Sequence, residues 1–533
     1  MIKENKRLYL LTAVVFAVVV AAYSNHFHNA FHFDDSHTIV NNIYVRDIGN
    51  IPLFFTDGTT FSSLPSNQSY RPLVTTTVAI DYYLGKGATT FYFHLSTFIF
   101  FILQGFLTYL LFLKVFDHTE KSSANPYIAL LATAWYLLHP ANAETINYII
   151  ARSDSLSTFF IILAFVLFLY SPFARKRHLY LLPVAVGALA KPIAGIFAPL
   201  LFAYLLLFEK ATAPPEKKSD QPEKKPDCRK KKPMAEKDKF SNRVHVLKNA
   251  LPAFIFIFAV MLFIKRMDPP TWTPGGSSLY NYVITQPFVI LHYFTTFFLP
   301  LNLSADTDLY PFTTVADIRF IIGTAFLILL TATAVVSIRY KKLRPLAFGI
   351  IWFILTLAPT SLIPLAEVMN DHRVFLPYVG LALGFGWSAS LVVRKLTRAS
   401  KSPGAVMRVA AAIIGIALLS YAYGVHERNK VWNTEETLWK DVTEKSPKNG
   451  RGLMNYGLTL MSRADYEGAG EYFRRALDIN PDYSTLHINI AILEDSIGNH
   501  REAEKYFQRA IANSSGYPAS YFYYARFLFK HKR

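Results

Sequence analysis

Apolar positions along this chain gather in long runs with few charges. A bilayer core of about 30 Å takes roughly 20 such residues as a helix. The first run is Leu8 to Tyr23; others lie near 91–116, 127–146, 154–170, 179–190, 193–208, 249–265, 319–338, 345–361, 374–393 and 405–423. This pattern predicts an all-α, polytopic membrane bundle of about eleven spans. A basic start and an apolar run also fit a cleaved signal peptide. No small-x-small cleavage site precedes the polar His26–Asp35 segment, so the first run is read as a retained span.

The polar connections give the orientation. Lys3, Lys6 and Arg7 beside the first run place the N-terminus in the cytoplasm. Counting onward, the basic connections 171–178, 209–248, 339–344 and 394–404 all fall on the cytoplasmic side, with the nearly neutral 117–126. The outer side receives 24–90, 147–153, 266–318, 362–373 and everything after 424. Residues 281–300 are apolar enough to cross, but a crossing there would put every later basic loop outside. They are therefore read as a helix in the outer interface within the 266–318 loop. The Lys191-Pro192 break divides 179–208 into two short spans.

Composition agrees. Apolar residues make up 52% and charged residues 17% of 533, against roughly 25% charge in an average soluble protein. The net charge of +18 would suggest nucleic acid if it sat on a folded surface. Much of it sits in the cytoplasmic connections instead, above all in the linker 209–248, with 13 Lys/Arg against 7 Asp/Glu and five prolines. Such a segment is expected to be disordered and to act as a topology determinant or an anionic-lipid contact. No nucleic-acid partner is implied. A single cysteine, Cys228, excludes a disulfide framework and a Cys-based metal cluster.

After residue 424 the composition becomes that of a soluble protein. A shift of 34 residues aligns Asn455 with Asn489, Ala469 with Ala503, Phe473 with Phe507 and Ala476 with Ala510. That period, with A-x-x-x-F in the second helix, marks tetratricopeptide units at 449–482 and 483–516, followed by a helix from Tyr517. So short a stack is expected to dock on the membrane domain or a partner. The chain thus divides into a membrane domain, 1–424, and an extracytoplasmic repeat domain, 449–533, where an acceptor peptide or protein would bind.

The outer loops carry the candidate chemistry: Asp34 and Asp35; Arg71 in Ser69-Tyr70-Arg71-Pro72-Leu73; Glu144 and Arg152 around the short loop; Lys191; and Asp371, His372 and Arg373 beside Glu367. Ionisable groups at membrane depth are functional by default. Adjacent carboxylates need a cation, a metal or a shared proton, and a carboxylate beside a hydroxyl can serve as general base. Arginines suit bidentate contact with phosphate. Taken alone, the Asp34-Asp35 pair fits a solvated loop or a helix N-cap equally well, and His372 and Arg373 fit an ion pair with Glu367 or Asp371.

In order, F-x-x-D-D, S-Y-R-P-L, Phe93-His94, L-H-P-x-x-A-E-T (Leu138 to Thr145), A-R-S-D, a Lys-Pro break and D-H-R-V-F-L-P precede the repeats. This ordered set resembles the transmembrane-and-tetratricopeptide-repeat O-mannosyltransferase family and, more broadly, the GT-C glycosyltransferases. The short repeat array resembles its bacterial branch. Where the family has Lys-Glu, this chain has Lys191-Pro192, so the glutamate's role does not transfer. The resemblance implies a GT-C-type bundle in a bacterial inner membrane, moving a sugar from a polyprenyl-phosphate-linked donor to a hydroxyl of an exported protein with inversion. It implies Asp34 and Asp35 as the catalytic pair, with Arg71, Arg152, His372 and Arg373 on the donor phosphate. Glu144, Lys191 and Asp371 would support the pocket. A divalent metal on Asp34 and Asp35 stays open, as do a glycan or lipid acceptor and a non-enzymatic scaffold.

Overall fold

A computed structural model describes residues 2–209, 234–271, 278–514 and 516–533, and every regular element among them is helical. Helix α1 (Ile2–Ala22) leads into a loop of short turns that holds α2 (Ile51–Phe54) and closes at α3 (Pro72–Leu84). The first half of the bundle continues with α4 (Thr90–Thr119), α5 (Asn125–Leu137), α6 (Asn142–Asn147), α7 (Arg152–Tyr170), α8 (Pro172–Lys176), α9 (Leu181–Ala188) and α10 (Phe197–Phe208). The second half comprises α11 (Met234–Met267), α12 (Leu279–Phe298), α13 (Ile318–Arg339), α14 (Arg344–Leu362), α15 (Phe375–Ala399) and α16 (Pro403–Val431). After α17 (Glu435–Lys445) come α18 (Gly450–Ser462), α19 (Tyr466–Ile479), α20 (Ser484–Ser496), α21 (His500–Asn513) and α22 (Pro518–Lys530).

Among the described residues, 7 helical stretches are long and apolar enough to cross a membrane, carried by α4, α7, α11, α13, α14, α15 and α16. The chain is a multi-pass membrane protein. Helix α1 fills the first apolar run with 21 residues. The two spans expected to be short at 179–208 are short, α9 with 8 residues and the apolar stretch Pro192–Phe208, and α5, expected at full length, has only 13. At about 1.5 Å per residue, α5 reaches only ~20 Å. Proline accounts for the interruptions. Pro140 follows the end of α5, and Pro192 forces Lys191 into an extended conformation, φ −157° and ψ 132°. Of the basic linker expected at 209–248, residues 210–233 lie outside the described residues, and from Met234 the chain is already helical in α11.

The two ends of the bundle differ in chemistry. At one end Arg175 forms a two-pronged pair with Glu209 at 2.7 and 2.6 Å. There Arg344 also caps the Leu207 carbonyl at 2.7 Å, and Trp387 donates to the Lys342 carbonyl at 2.7 Å. At the other end, buried amides lock the helix termini. Asn29 donates to Asn147 at 2.6 Å, and Asn147 donates to Asn429 at 2.7 Å. Asn429 in turn donates to the Ala22 carbonyl at 3.2 Å. Helix α12 occupies the apolar segment 281–300, and both its ends meet groups at this second end. Tyr282 donates to the Thr360 carbonyl at 2.7 Å, and the Phe297 carbonyl accepts from His139 and Tyr421 at 3.1 Å.

The repeat helices keep the 34-residue period, since α18, α20 and α22 begin at 450, 484 and 518. They are fixed to the bundle through the segment after α12. Lys445 donates to the Leu303 carbonyl at 2.8 Å, Asn449 to the Thr307 carbonyl at 2.9 Å, and Tyr310 to the Lys448 carbonyl at 3.2 Å. Phe33 stacks edge-on against Trp439 at 5.2 Å.

Helices α14 and α15 approach backbone to backbone. A Cβ on Gly349 would lie 2.4 Å from the Gly380 carbonyl oxygen, and one on Gly380 would lie 2.6 Å from the Trp352 Cβ. Small residues permit such contacts in membrane bundles. Gly380→Val is expected to destabilise the bundle by about 1–3 kcal/mol through overpacking, read as a lower unfolding temperature of the detergent-purified protein. An unchanged temperature would show that the two helices have room to separate.

Candidate active site

At the amide-locked end of the bundle lies a cleft of about 790 Å³. Its lining includes the polar Asp34, Arg71, Glu144, Tyr148, Asp154, Lys191, His372 and Arg373. It also includes apolar side chains from the membrane helices and their ends, with Ile193 and Ile196 before α10, Ile257 and Met261 of α11, and Ile363 after α14.

The acidic pair is divided. Phe33 adopts a left-handed conformation, φ 49°, and beyond it the neighbours Asp34 and Asp35 point apart. Asp34 lines the cleft half-exposed, 3.2 Å from His37 Nε2, and its main-chain N–H donates to Tyr148 Oη at 3.2 Å. Burial acts to raise its carboxyl, but His37 and then Arg71 outweigh it and hold it below the usual carboxylate range. Asp35 is fully buried and does not line the cleft. Its two oxygens accept the main-chain N–H groups of His32 at 3.1 Å and Ile150 at 2.8 Å, tying the first loop to the segment before α7. Burial pushes this carboxyl up to about 7. The pair therefore offers no convergent set of oxygens for a divalent metal.

The cationic groups are also sorted. Arg71 lies over the Phe61 ring at 5.1 Å, and its buried Nε has no hydrogen-bond partner. Burial lowers its pKa, with Asp154 and Asp34 acting the other way. Arg373 is held by main-chain carbonyls, Glu367 at 2.7 Å and Val368 at 3.1 Å. The Glu367 carboxylate instead pairs with Arg451 at 2.9 Å. Among the described residues, neither Arg71 nor Arg373 has a carboxylate at ion-pair distance. Lys191 is neutralised by both oxygens of Asp154, each at 2.7 Å.

Arg152 is turned away. Its guanidinium pairs with the buried Asp81 at 2.5 Å and donates to the Phe93 carbonyl at 2.8 Å, bracing α3 and α4 against α7. Asp371 is likewise buried and does not line the cleft. Glu144 and His372 form the cleft's central polar pair: Glu144 Oε1 accepts the His372 Nδ1–H at 2.7 Å and its main-chain N–H at 3.1 Å. Glu144 Oε2 is buried without a partner.

Of the nine residues singled out from the sequence, the structure thus gathers Asp34, Arg71, Glu144, Lys191, His372 and Arg373 in one cleft. It places Asp35, Arg152 and Asp371 outside it. The sequence reading omitted Asp154, Tyr148, His37 and Arg451, all of which line the cleft. Asp154 carried a signal, since it lies two residues from Arg152 at a helix start and so projects in a different direction. Arg451 carried none, because it arrives from α18 in the repeat domain. It bridges Asp306 at 2.8 Å and Glu367 at 2.9 Å.

A tetratricopeptide-repeat family model matches residues 450–515. Most of the chain is distantly similar to curated protein O-mannosyl-transferases. The human protein O-mannosyl-transferase TMTC3 is 23% identical over 95% of this chain and 55% of the relative. The mouse protein O-mannosyl-transferase TMTC4 is 25% identical over 86% of this chain and 65% of the relative. The human protein O-mannosyl-transferase TMTC1 is 22% identical over 88% and 55%. The chain spans about half the length of several of these relatives, TMTC4 being matched further. No solved structure matches it.

Proposed function

We propose that this protein is a GT-C-type membrane glycosyltransferase. It would move a sugar from a polyprenyl-phosphate-linked donor to a hydroxyl of an exported protein. The observation that carries this reading is the mixed lining of the cleft. The half-exposed carboxylate of Asp34 shares it with two arginines that, among the described residues, have no carboxylate at ion-pair distance, and membrane helices add apolar side chains suited to a lipid chain. Its volume of about 790 Å³ is within the usual range of roughly 300–1,000 Å³ for ligand sites. Basic residues at the opposite end support a cytoplasmic position for that end; in this reading the cleft and repeats lie outside, in a bacterial inner membrane.

The chemistry follows from the positions. Asp34 accepts the proton of the acceptor hydroxyl as its oxygen attacks the anomeric carbon. The bond from that carbon to the phosphate oxygen breaks, and its electron pair leaves with the phosphate. Arg71 and Arg373 stabilise the developing charge. His372, oriented by Glu144, presents its remaining ring nitrogen to the same group. One displacement inverts the anomeric centre. Arg451 ties the repeat domain to the cleft rim, which favours a protein acceptor carried by the repeats over a glycan or lipid. The relatives are named for O-mannosyl transfer, so a mannose-charged polyprenyl phosphate is the first donor to test. Intact-mass spectrometry of exported proteins with and without this protein tests the function as a whole. A hexose-sized difference is expected, and no difference in any exported protein would favour a non-enzymatic scaffold.

Asp34→Asn is expected to abolish transfer while leaving the protein folded. Asp35→Asn sets an amide NH2 against a main-chain donor, at a cost of about 1–3 kcal/mol, and should expose the 24–90 loop to limited proteolysis. Equal protease resistance in the two variants, with equal loss of transfer, would reverse this division of roles.

The pH dependence separates Asp34 from His372 as the base. A carboxyl held below its ordinary value of 3.8 is ionised throughout the neutral range, so kcat/KM should be flat from about pH 5 upward. An acid limb in the neutral range that disappears in His372→Ala would assign the base to His372 instead.

Arg451→Ala releases Glu367 and Asp306 and should raise the acceptor KM more than it lowers kcat. Unchanged acceptor kinetics would confine Arg451 to holding the domains together.

A further inference from the structure

Far from the cleft, in the repeat domain, three side chains converge that neither the repeat architecture nor the proposed reaction uses. Asp495 is the penultimate residue of α20, His500 opens α21, and His531 follows the last turn of α22. The turn between the first two is made by Gly498 in the left-handed region, φ 89°. Asp495 Oδ1 lies 2.9 Å from His500 Nδ1 and 2.7 Å from His531 Nε2. The three ligand atoms lie within 4.8 Å of one another. The imidazole rings are 4.3 Å apart, and His531 is also packed against Phe527 at 4.8 Å, which limits its rotation.

Repeat packing does not demand these residues. One period earlier, Asp495 and His500 correspond to Met461 and Tyr466, and His531 corresponds to Ile497. A two-histidine, one-carboxylate set is specific to the junction of α20, α21 and α22.

We propose that Asp495, His500 and His531 form a binding site for a divalent transition ion of the zinc type. Two imidazole nitrogens select such ions over calcium or magnesium, which favour all-oxygen sets. Zinc bonds of about 2.0–2.2 Å to nitrogen and oxygen put tetrahedral ligands roughly 3.3 Å apart. The present nitrogen-to-oxygen separations of 2.9 and 2.7 Å therefore need to open by only about half an ångström as the metal displaces the bridging protons. Lys530 does not block the site. It binds the other carboxylate oxygen, Oδ2, at 2.7 Å and leaves Oδ1 to the metal. Three protein ligands leave the fourth position to water or to a partner's side chain. The bound ion would pin α22 to the preceding repeat.

The test is a zinc titration of the tag-free, detergent-purified full chain in a Cys228→Ser background, read by competition with a chromophoric chelator. One saturable equivalent is expected, undisturbed by excess magnesium. His500→Ala, His531→Ala and Asp495→Asn should each weaken it roughly tenfold or more, with circular dichroism unchanged. Absence of saturable binding, or binding of equal strength in all three variants, would overturn the proposal. Neither outcome depends on transferase activity.

Discussion

The cleft depends on a carboxylate buried where a bundle dissolved in lipid can least accommodate one. Glu144 is 3% exposed, and removing such a charge from water costs several kcal/mol unless hydrogen bonds replace the lost hydration. His372 supplies two of them, through its ring and its main chain. One carboxylate thereby joins the short α6, which follows the proline break after α5, to the turn that starts α15. These are the two polar segments that must meet to close the site. The other oxygen, Oε2, has no hydrogen-bond donor among the described residues.

Around that pair, the charged groups divide into those satisfied by the protein and those left open. Arg152 is saturated by Asp81 and two main-chain carbonyls, Lys191 by Asp154, and Asp35 by two N–H groups. They hold the walls. Arg71 and Arg373 are positioned by a ring face and by carbonyls, contacts that orient a guanidinium without cancelling its charge. An anion entering the cleft therefore meets two preorganised cations that need not first break an ion pair.

Much of the architecture was legible in the sequence because it follows from patterns with a period. The apolar runs gave the membrane helices, and the 34-residue shift gave the repeat helices with their starts at 450, 484 and 518. The Lys191-Pro192 break and the two short spans around it were visible too, but not that α5 would fall below bilayer length. For the site, the loops that contribute were readable from their uneven polarity. The direction of each side chain was not. Asp34 and Asp35 are adjacent outside any regular α-helix, where a single left-handed residue, Phe33, decides which one faces the cleft. Arg152 and Asp154 stand two apart on one helix and so serve opposite tasks. The spacing shows that the two diverge, and the tertiary fold alone decides which of them faces the cleft.

The position of Arg451 bears on why a membrane bundle would carry a repeat domain fixed in place. Its guanidinium holds the Glu367 carboxylate, and the carbonyl of the same residue holds Arg373. A repeat-domain helix and the cleft-lining Arg373 thus share one short segment before α15. If an acceptor shifts α18 as it binds, Glu367 must move with Arg451, and the carbonyl that orients Arg373 moves too. Acceptor docking and donor activation would then be coupled through one residue's main chain and side chain, by contacts no longer than 2.9 Å. That coupling is mechanical and requires only that the Arg451–Glu367 pair be stronger than the thermal motion of the loop. With both partners at least half-buried, screening by salt is weak, so the linkage should survive at physiological ionic strength.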